Sequence, residues 1–231
     1  MELHRSHPVK SEIPVLTVDG PSGAGKGAVS RAVAKALGWH YLDSGAIYRV
    51  LALAVLRRKI SLDDAQALAS AASSLDLAFH FDNDEMKTML DGSDVSDMLQ
   101  SPACADTASR IAAQPAVRAA LLEKQRAFRK KPGLVADGRD MGTVVFPGAA
   151  HKLFLTANSG VRAERRYKQL KAKGIDVNLE ILAKEMSERD RRDMERRDAP
   201  LAKAQDAVLI DTSDLTITEV VAAALRLLGR A

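Results

Sequence analysis

The chain has 231 residues, 46% apolar and 28% charged, enough for one α/β unit with inserted pieces and a sizeable core. No apolar run reaches the ~20 residues a membrane-spanning helix needs, and the lone Cys104 excludes an intrachain disulfide and fits a reducing cytoplasm. The net charge of +4 raises nucleic acid as a partner, but the arginine-dense stretch 185–198 interleaves five arginines with six acids and carries no aromatic stacking platform, which excludes a duplex-binding surface.

Met1–Glu12 carries His4, Arg5, His7 and Lys10 without an apolar core, so it is expected to be a frayed extension and not a secretory signal. The run Pro14–Asp19 is expected to be a strand. It leads into Gly20-Pro21-Ser22-Gly23-Ala24-Gly25-Lys26-Gly27 and then the helical pattern Ala28–Leu37. Strand, glycine-rich loop and helix in that order are the context of a phosphate-binding loop. Its inward N–H groups and the helix N-terminus hold an anion, and Lys26 reaches the β- and γ-phosphates. The general motif places Ser or Thr after the lysine as a ligand for Mg²⁺, whereas here Gly27 and Ala28 follow. The missing hydroxyl contact is expected to be absent or supplied by water or Ser30.

Tyr41-Leu42-Asp43 is a short apolar segment, and Ser44 opens a helix whose stripe is Ile47, Val50, Leu51, Ala54 and Val55. Ser44 at that helix start and Arg49 one turn on can hold a second phosphate. The competing reading is a capping serine with a solvated arginine. Ser61–Ser73 is expected to be a helix capped by Ser61, with Asp63 and Asp64 in its first turn. The period then changes. Leu75, Leu77, Phe79 and Phe81 alternate with polar or small residues, Asn83-Asp84 is expected to turn, and Lys87–Leu90 and Asp94–Val95 follow as short strands. This is a small antiparallel insert.

Helices are expected at Ala103–Ala113 and Pro115–Lys130, the second with proline in its first turn. The apolar strand Gly133–Asp137 ends in a carboxylate and precedes Gly138-Arg139-Asp140-Met141-Gly142. Arg139 and Asp140 there face ligand or form a structural ion pair. A strand at Lys152–Thr156, helices at Ser159–Lys173 and Asn178–Arg197, a strand at Val208–Asp211 and a helix at Thr218–Leu228 complete the pattern. Alternating strands and helices imply a parallel sheet with ligands at the strands' carboxyl ends. In the arginine-rich helix, Arg189, Asp193 and Arg196 share one face with Arg192 adjacent. That face is either a mobile lid over transferred phosphate or a solvated, ion-paired surface. As a lid it is expected to stand open without ligand, with Arg196 exposed.

Taken together, Asp19–Gly27, Leu42–Arg49, Ala136–Pro147 and Arg189-Asp190-Arg191-Arg192-Asp193 resemble the bacterial cytidylate kinases. The resemblance spans nearly the whole chain, and the second and third motifs carry its specificity. Ala28 departs from the Thr or Ser usual after Gly-Lys-Gly in nucleoside monophosphate kinases. The resemblance implies an α/β P-loop kinase fold, with a monophosphate-binding insert over about 61–110 and a helical lid over about 174–200. The implied reaction passes the γ-phosphoryl of ATP to CMP or dCMP, with Mg²⁺ held by phosphates and water and by no direct protein ligand. Gly20–Ala28 would hold ATP. Ser44, Tyr48, Arg49 and Arg139 would line the monophosphate end, and Ser109, Arg118 and Asp140 would read the cytosine. Arg189 and Asp193 would contact the ribose, while Arg192 and Arg196 would neutralise the transferred phosphoryl. A cytoplasmic monomer without nucleic-acid or membrane partners is implied. A different P-loop kinase, or a P-loop regulatory module, is the alternative.

Overall fold

A computed structural model describes residues 13–82 and 85–230; the expectations for Met1–Glu12 and for a turn at Asn83-Asp84 concern residues outside these. Two strands are buried along their whole length, β1 (Val15–Asp19) and β6 (Leu134–Gly138), and they pair in parallel at the centre of a five-stranded sheet. Both read as continuous apolar runs because helices cover both faces. β2 (His40–Asp43), β7 (His151–Thr156) and β8 (Val208–Asp211) complete the order β2-β6-β1-β7-β8. The last is an edge strand, with Val208, Leu209 and Asp211 exposed. The register sets Asp43 beside Asp137 and Asp19 beside Gly138, so three carboxylates end neighbouring strands on one rim.

The helices divide between the faces. α1 (Lys26–Leu37) and α8 (Ile217–Leu227) share one apolar cluster. The other cluster gathers α2 (Ser44–Arg58), α3 (Ala65–Ser73), α4 (Pro102–Ile111) and α5 (Pro115–Arg126). With aromatics at 4% of the chain, these cores are built mostly from Ala, Leu, Val and Ile. Cys104 lies among them as a packed small residue, 1% exposed. The helical hairpin α6 (Ser159–Ala172) and α7 (Leu179–Glu195) has a small core of its own, Ala163, Leu170, Leu182 and Met186. The antiparallel insert is present as β3 (Leu77–Asp82), β4 (Glu85–Leu90) and β5 (Ser93–Asp94).

Three local features differ from the pattern reading. α3 is capped by Asp64, whose carboxylate accepts from Ala67 N at 2.9 Å, while Ser61 accepts from Asp63 N in the preceding turn. Of two candidate caps, the carboxylate makes the stronger bond to a helix-end N–H. α2 is likewise capped by Asp43, with Ser44 its first helical residue. After β6, Met141–Val145 form one turn of π-helix, which the Gly138–Gly142 sequence does not announce. Its start is pinned by Asp19, which accepts from the N–H groups of Met141 and Gly142 at 2.8 Å each.

Candidate active site

The loop between β1 and α1 is shaped by close approach. A Cβ on Gly20 would lie 1.9 Å from the Leu155 carbonyl oxygen, and Gly25 caps α1 in the left-handed region at φ 87°. Only glycine meets both demands at no cost. Ser22, Gly23, Ala24, Gly25, Lys26, Gly27 and Ala28 line a cavity of about 1200 Å³, whereas Gly20 and Pro21 are not part of its wall. Lys26 folds back over the loop and donates to the Pro21 carbonyl at 2.9 Å. Ser30 is fully buried and off the cavity wall, so it does not supply the hydroxyl missing at Ala28.

Burial, with Arg139 nearby, pulls the Lys26 ammonium down to about 7 against the pull of Asp137 and Asp19. Burial pushes Asp19 up to about 7 and Asp137 up to about 6. The signs oppose each other in stability. The raised carboxyls lose stability for the fold as pH rises from their ordinary range toward 6–7, and the lowered lysine returns it as pH rises from about 7 toward 10.5. For ligand binding the lysine decides. A polyanion in the cradle restores the Lys26 charge, so binding near pH 8 takes up a proton and weakens as pH rises above 7. Calorimetry of ATP binding in buffers of different ionisation enthalpy is expected to show net proton uptake that Lys26→Met removes; buffer-independent heat would contradict this.

Facing the loop across the cavity are Arg49, Arg139, Arg189 and Arg192. Arg49 pairs with Asp43 at 3.0 Å and Arg139 with Asp193 at 2.8 Å. Burial works against the Arg139 charge, but Asp193 raises its pKa overall. Arg189 is pulled down to about 10 by burial and then by Arg139. Asp193 is held below its ordinary value because Arg139, Arg189 and Arg196 together outweigh its burial. Arg192 sits at the rim, paired with Asp106 at 2.8 Å. This many cations in mutual repulsion, several of them buried, mark a polyanion site.

Ser44, Tyr48, Ser109, Arg118, Asp140 and Arg196 lie off the cavity wall. Tyr48, Arg118, Asp140 and Arg196 interact as one buried polar cluster beside it. Arg118 ion-pairs Asp140 and donates to Tyr48 Oη at 3.3 Å. Burial raises Asp140 above the usual carboxylate range, although Arg118 opposes the shift. Ser109 Oγ and Arg196 Nε and Nη2 are buried without a partner. So are Arg49 Nε and Arg189 Nε.

Several expectations need correction. Arg139 and Asp140 do not pair with each other; they reach opposite ways, to Asp193 and to Arg118. The Ser44 hydroxyl turns inward and donates to Gln125 at 2.7 Å instead of facing the cavity. Arg196 is not an exposed lid residue. It caps the C-terminus of α7 at 9% exposure, 3.9 Å from Asp193. The α7 face does not stand open: Asp190 accepts from Ser22 N at 3.2 Å and ion-pairs Arg162, which donates to the Ser22 carbonyl at 2.8 Å. The outer Arg191–Glu195 pair, and in part the rim pair Arg192–Asp106, fit the solvated, ion-paired description.

Pattern reading also missed Asp19, Gln125, Arg162, Asp190, Thr212 and Arg165. Thr212 donates to the Ala24 carbonyl at 3.2 Å and accepts from Arg165 at 3.0 Å, tying the loop after β8 to the P-loop. Asp19 alone had a local signal, a carboxylate at the end of a buried strand directly before the glycine loop.

A parallel sheet, a lysine-bearing phosphate loop at its carboxyl rim and a second arginine-lined wall under a helical hairpin define a P-loop kinase. A family model described as cytidylate kinase matches residues 16–230. The cytidylate kinase of Methylococcus capsulatus is 59% identical over 92% of this chain and 96% of the relative. That of Aeromonas salmonicida is 55% identical over 92% of each, and that of Shewanella sp. (strain MR-4) 53% over 94% and 95%. The chain belongs to the cytidylate kinase family. Among the described residues, no helix is long and apolar enough to cross a membrane.

Proposed function

We propose that this kinase transfers the γ-phosphoryl of ATP to CMP or dCMP. Family membership supports the reaction. The observation that supports the site assignment is the set of unpartnered buried atoms on Arg196, close to the Arg118–Asp140 pair, with the buried Ser109 hydroxyl likewise unpartnered. Buried polar atoms are normally satisfied, and a cytosine supplies what these lack. Its exocyclic amine donates to the Asp140 carboxylate, and its O2 and N3 accept from arginine or hydroxyl.

In this reading the P-loop and Lys26 hold the donor phosphates, and Arg49 and Arg139 hold the acceptor phosphate. Arg189 and Asp193 hold the ribose. Arg192 leaves Asp106 to meet the transferred phosphoryl, and Arg196 stays at the base end. No general base is required because the attacking phosphate oxygen is already ionised. Rate comes from positioning and from fixed positive charge where negative charge gathers.

A divalent cation fits this site only through its ligand. Among the described residues no cluster of three or more His, Cys, Asp or Glu exists. A Cβ on Gly27 would lie 3.2 Å from Arg31 Nη1 and 3.5 Å from Asp137 Oδ2, so the β6 carboxylate lies near the position where the general motif has its hydroxyl without taking its place. Mg²⁺ would be held by phosphates and water beside Asp137, and when bound it screens the phosphate charge. The enzyme is proposed to work as a monomer in the cytoplasm.

The test is ADP formation with CMP, dCMP, UMP and AMP as acceptors. CMP and dCMP are expected to be used best, and activity is expected to vanish in excess chelator. Preference for AMP or UMP would transfer the assignment to another nucleotide kinase, and full activity in chelator would remove the metal.

A further inference from the structure

Asp190 and Arg162 form a charged pair that the transfer step leaves unused. Asp190 is 5% exposed, and Arg162 ion-pairs it. Neither residue lines the cavity, so neither meets a ligand held there. A buried ion pair adds little stability that well-packed apolar side chains would not supply. What distinguishes this one is that it grips the backbone of Ser22, inside the phosphate loop.

Asp190 Oδ1 accepts from Ser22 N at 3.2 Å, and Arg162 Nη1 donates to the Ser22 carbonyl at 2.8 Å. Arg162 is itself fixed, because its Nε donates to the Ala157 carbonyl at 3.0 Å, just past the end of β7. These bonds hold the two peptide planes that flank the Ser22 Cα. In a planar trans peptide the N–H and the C=O point in opposite directions. A Ser22 N–H turned to Asp190 therefore turns the Pro21 carbonyl the other way, and that carbonyl accepts from Lys26 Nζ at 2.9 Å. A Ser22 carbonyl turned to Arg162 likewise turns the Gly23 N–H away from Arg162, and Gly23 lines the cavity. The loop also rests on the same hairpin at Gly23, where a Cβ would lie 2.9 Å from Arg162 Cβ and 3.0 Å from Met186 Cε.

We propose that Asp190 and Arg162 are positioning residues for the phosphoryl donor: they set both peptide planes of Ser22, so that the Pro21 carbonyl holds Lys26 in place and the Gly23 N–H faces the donor phosphates. This rests on the reading of the P-loop as the donor site.

Arg162→Met combined with Asp190→Val removes both charges at once. No uncompensated charge stays buried, so melting temperature is expected to hold or rise. Loss of one paired hydrogen bond is worth about tenfold, so the Kd for ATP, read by calorimetry without acceptor, is expected to rise about tenfold or more. The Kd for CMP, read without ATP, is expected to stay within about twofold of wild type, because Arg49 and Arg139 pair with Asp43 and Asp193 instead. In a Lys26→Met background the double change is expected to add only part of that effect, since no ammonium remains for the Pro21 carbonyl to hold.

An unchanged ATP Kd overturns the proposal. So does a parallel rise in both Kd values, which would mean that the pair only holds α7 in place, or full additivity with Lys26→Met. If the double variant does not fold, Arg162→Lys carries the test. It keeps a charge beside Asp190 but loses the fork that reaches the Ser22 and Ala157 carbonyls, and the same split between ATP and CMP is expected. Wild-type ATP binding by Lys26→Met overturns the donor-site reading and this proposal with it. ATP binding damaged in Lys26→Met yet normal in R162M/D190V overturns this proposal alone.

Discussion

Lys26→Ala is expected to lower kcat by about three orders of magnitude or more, the scale of losing a preorganised charge at a transferring phosphoryl group. Lys26 is the cation on the first turn of α1, inside the glycine loop, and it donates to the Pro21 carbonyl at 2.9 Å. Nothing in the fold depends on that bond. Burial holds its pKa near 7, so keeping the ammonium charged costs the folded state, and removing it is expected to leave melting temperature equal or higher. The variant is also expected to lose the gain in stability that wild type shows as pH rises from about 7 toward the ordinary lysine value. The check is single-turnover kinetics alongside a pH series of melts. Activity within tenfold of wild type would remove Lys26 from the mechanism.

Asp140→Ala is expected to damage both stability and acceptor recognition. Asp140 is 3% exposed and ion-paired with Arg118. Removing one member leaves the other charge buried and uncompensated, a loss of about 3–5 kcal/mol, which is a large share of a typical domain's stability. The CMP KM is expected to rise steeply because the carboxylate proposed to take the base amine is gone. Asp140→Asn separates the two effects. It keeps the shape and one acceptor toward Arg118, so most of the stability is expected to remain. Its amide offers a donor where the carboxylate offered none, so the ratio of CMP to UMP use is expected to fall. Chemical denaturation and a four-acceptor assay read both quantities. An unchanged ratio in the Asn variant would mean that Asp140 only anchors Arg118.

The phosphate loop, the alternation of strands and helices, the antiparallel insert and the motifs at the strand ends were legible because each rests on local spacing. Glycines at fixed offsets, a lysine at the helix start and a period of two or 3.6 dictate backbone geometry within a few residues. The resemblance to the cytidylate kinases stands on those same local runs, and the chain does belong to that family. Only the folded molecule settled which charges meet. Arg139 and Asp140 are neighbours in the chain, yet successive side chains beyond a strand diverge, and they pair with α7 and α5 respectively. Arg196 reads as a surface residue on a helical wheel, but it lies where α7 ends and the chain turns inward. Asp190 reaches Ser22 across 168 residues, and Gln125 reaches Ser44 across 81. Such pairings depend on how elements pack, and desolvation, which sets the charge state of Lys26, Asp19 and Asp137, exists only once they have packed.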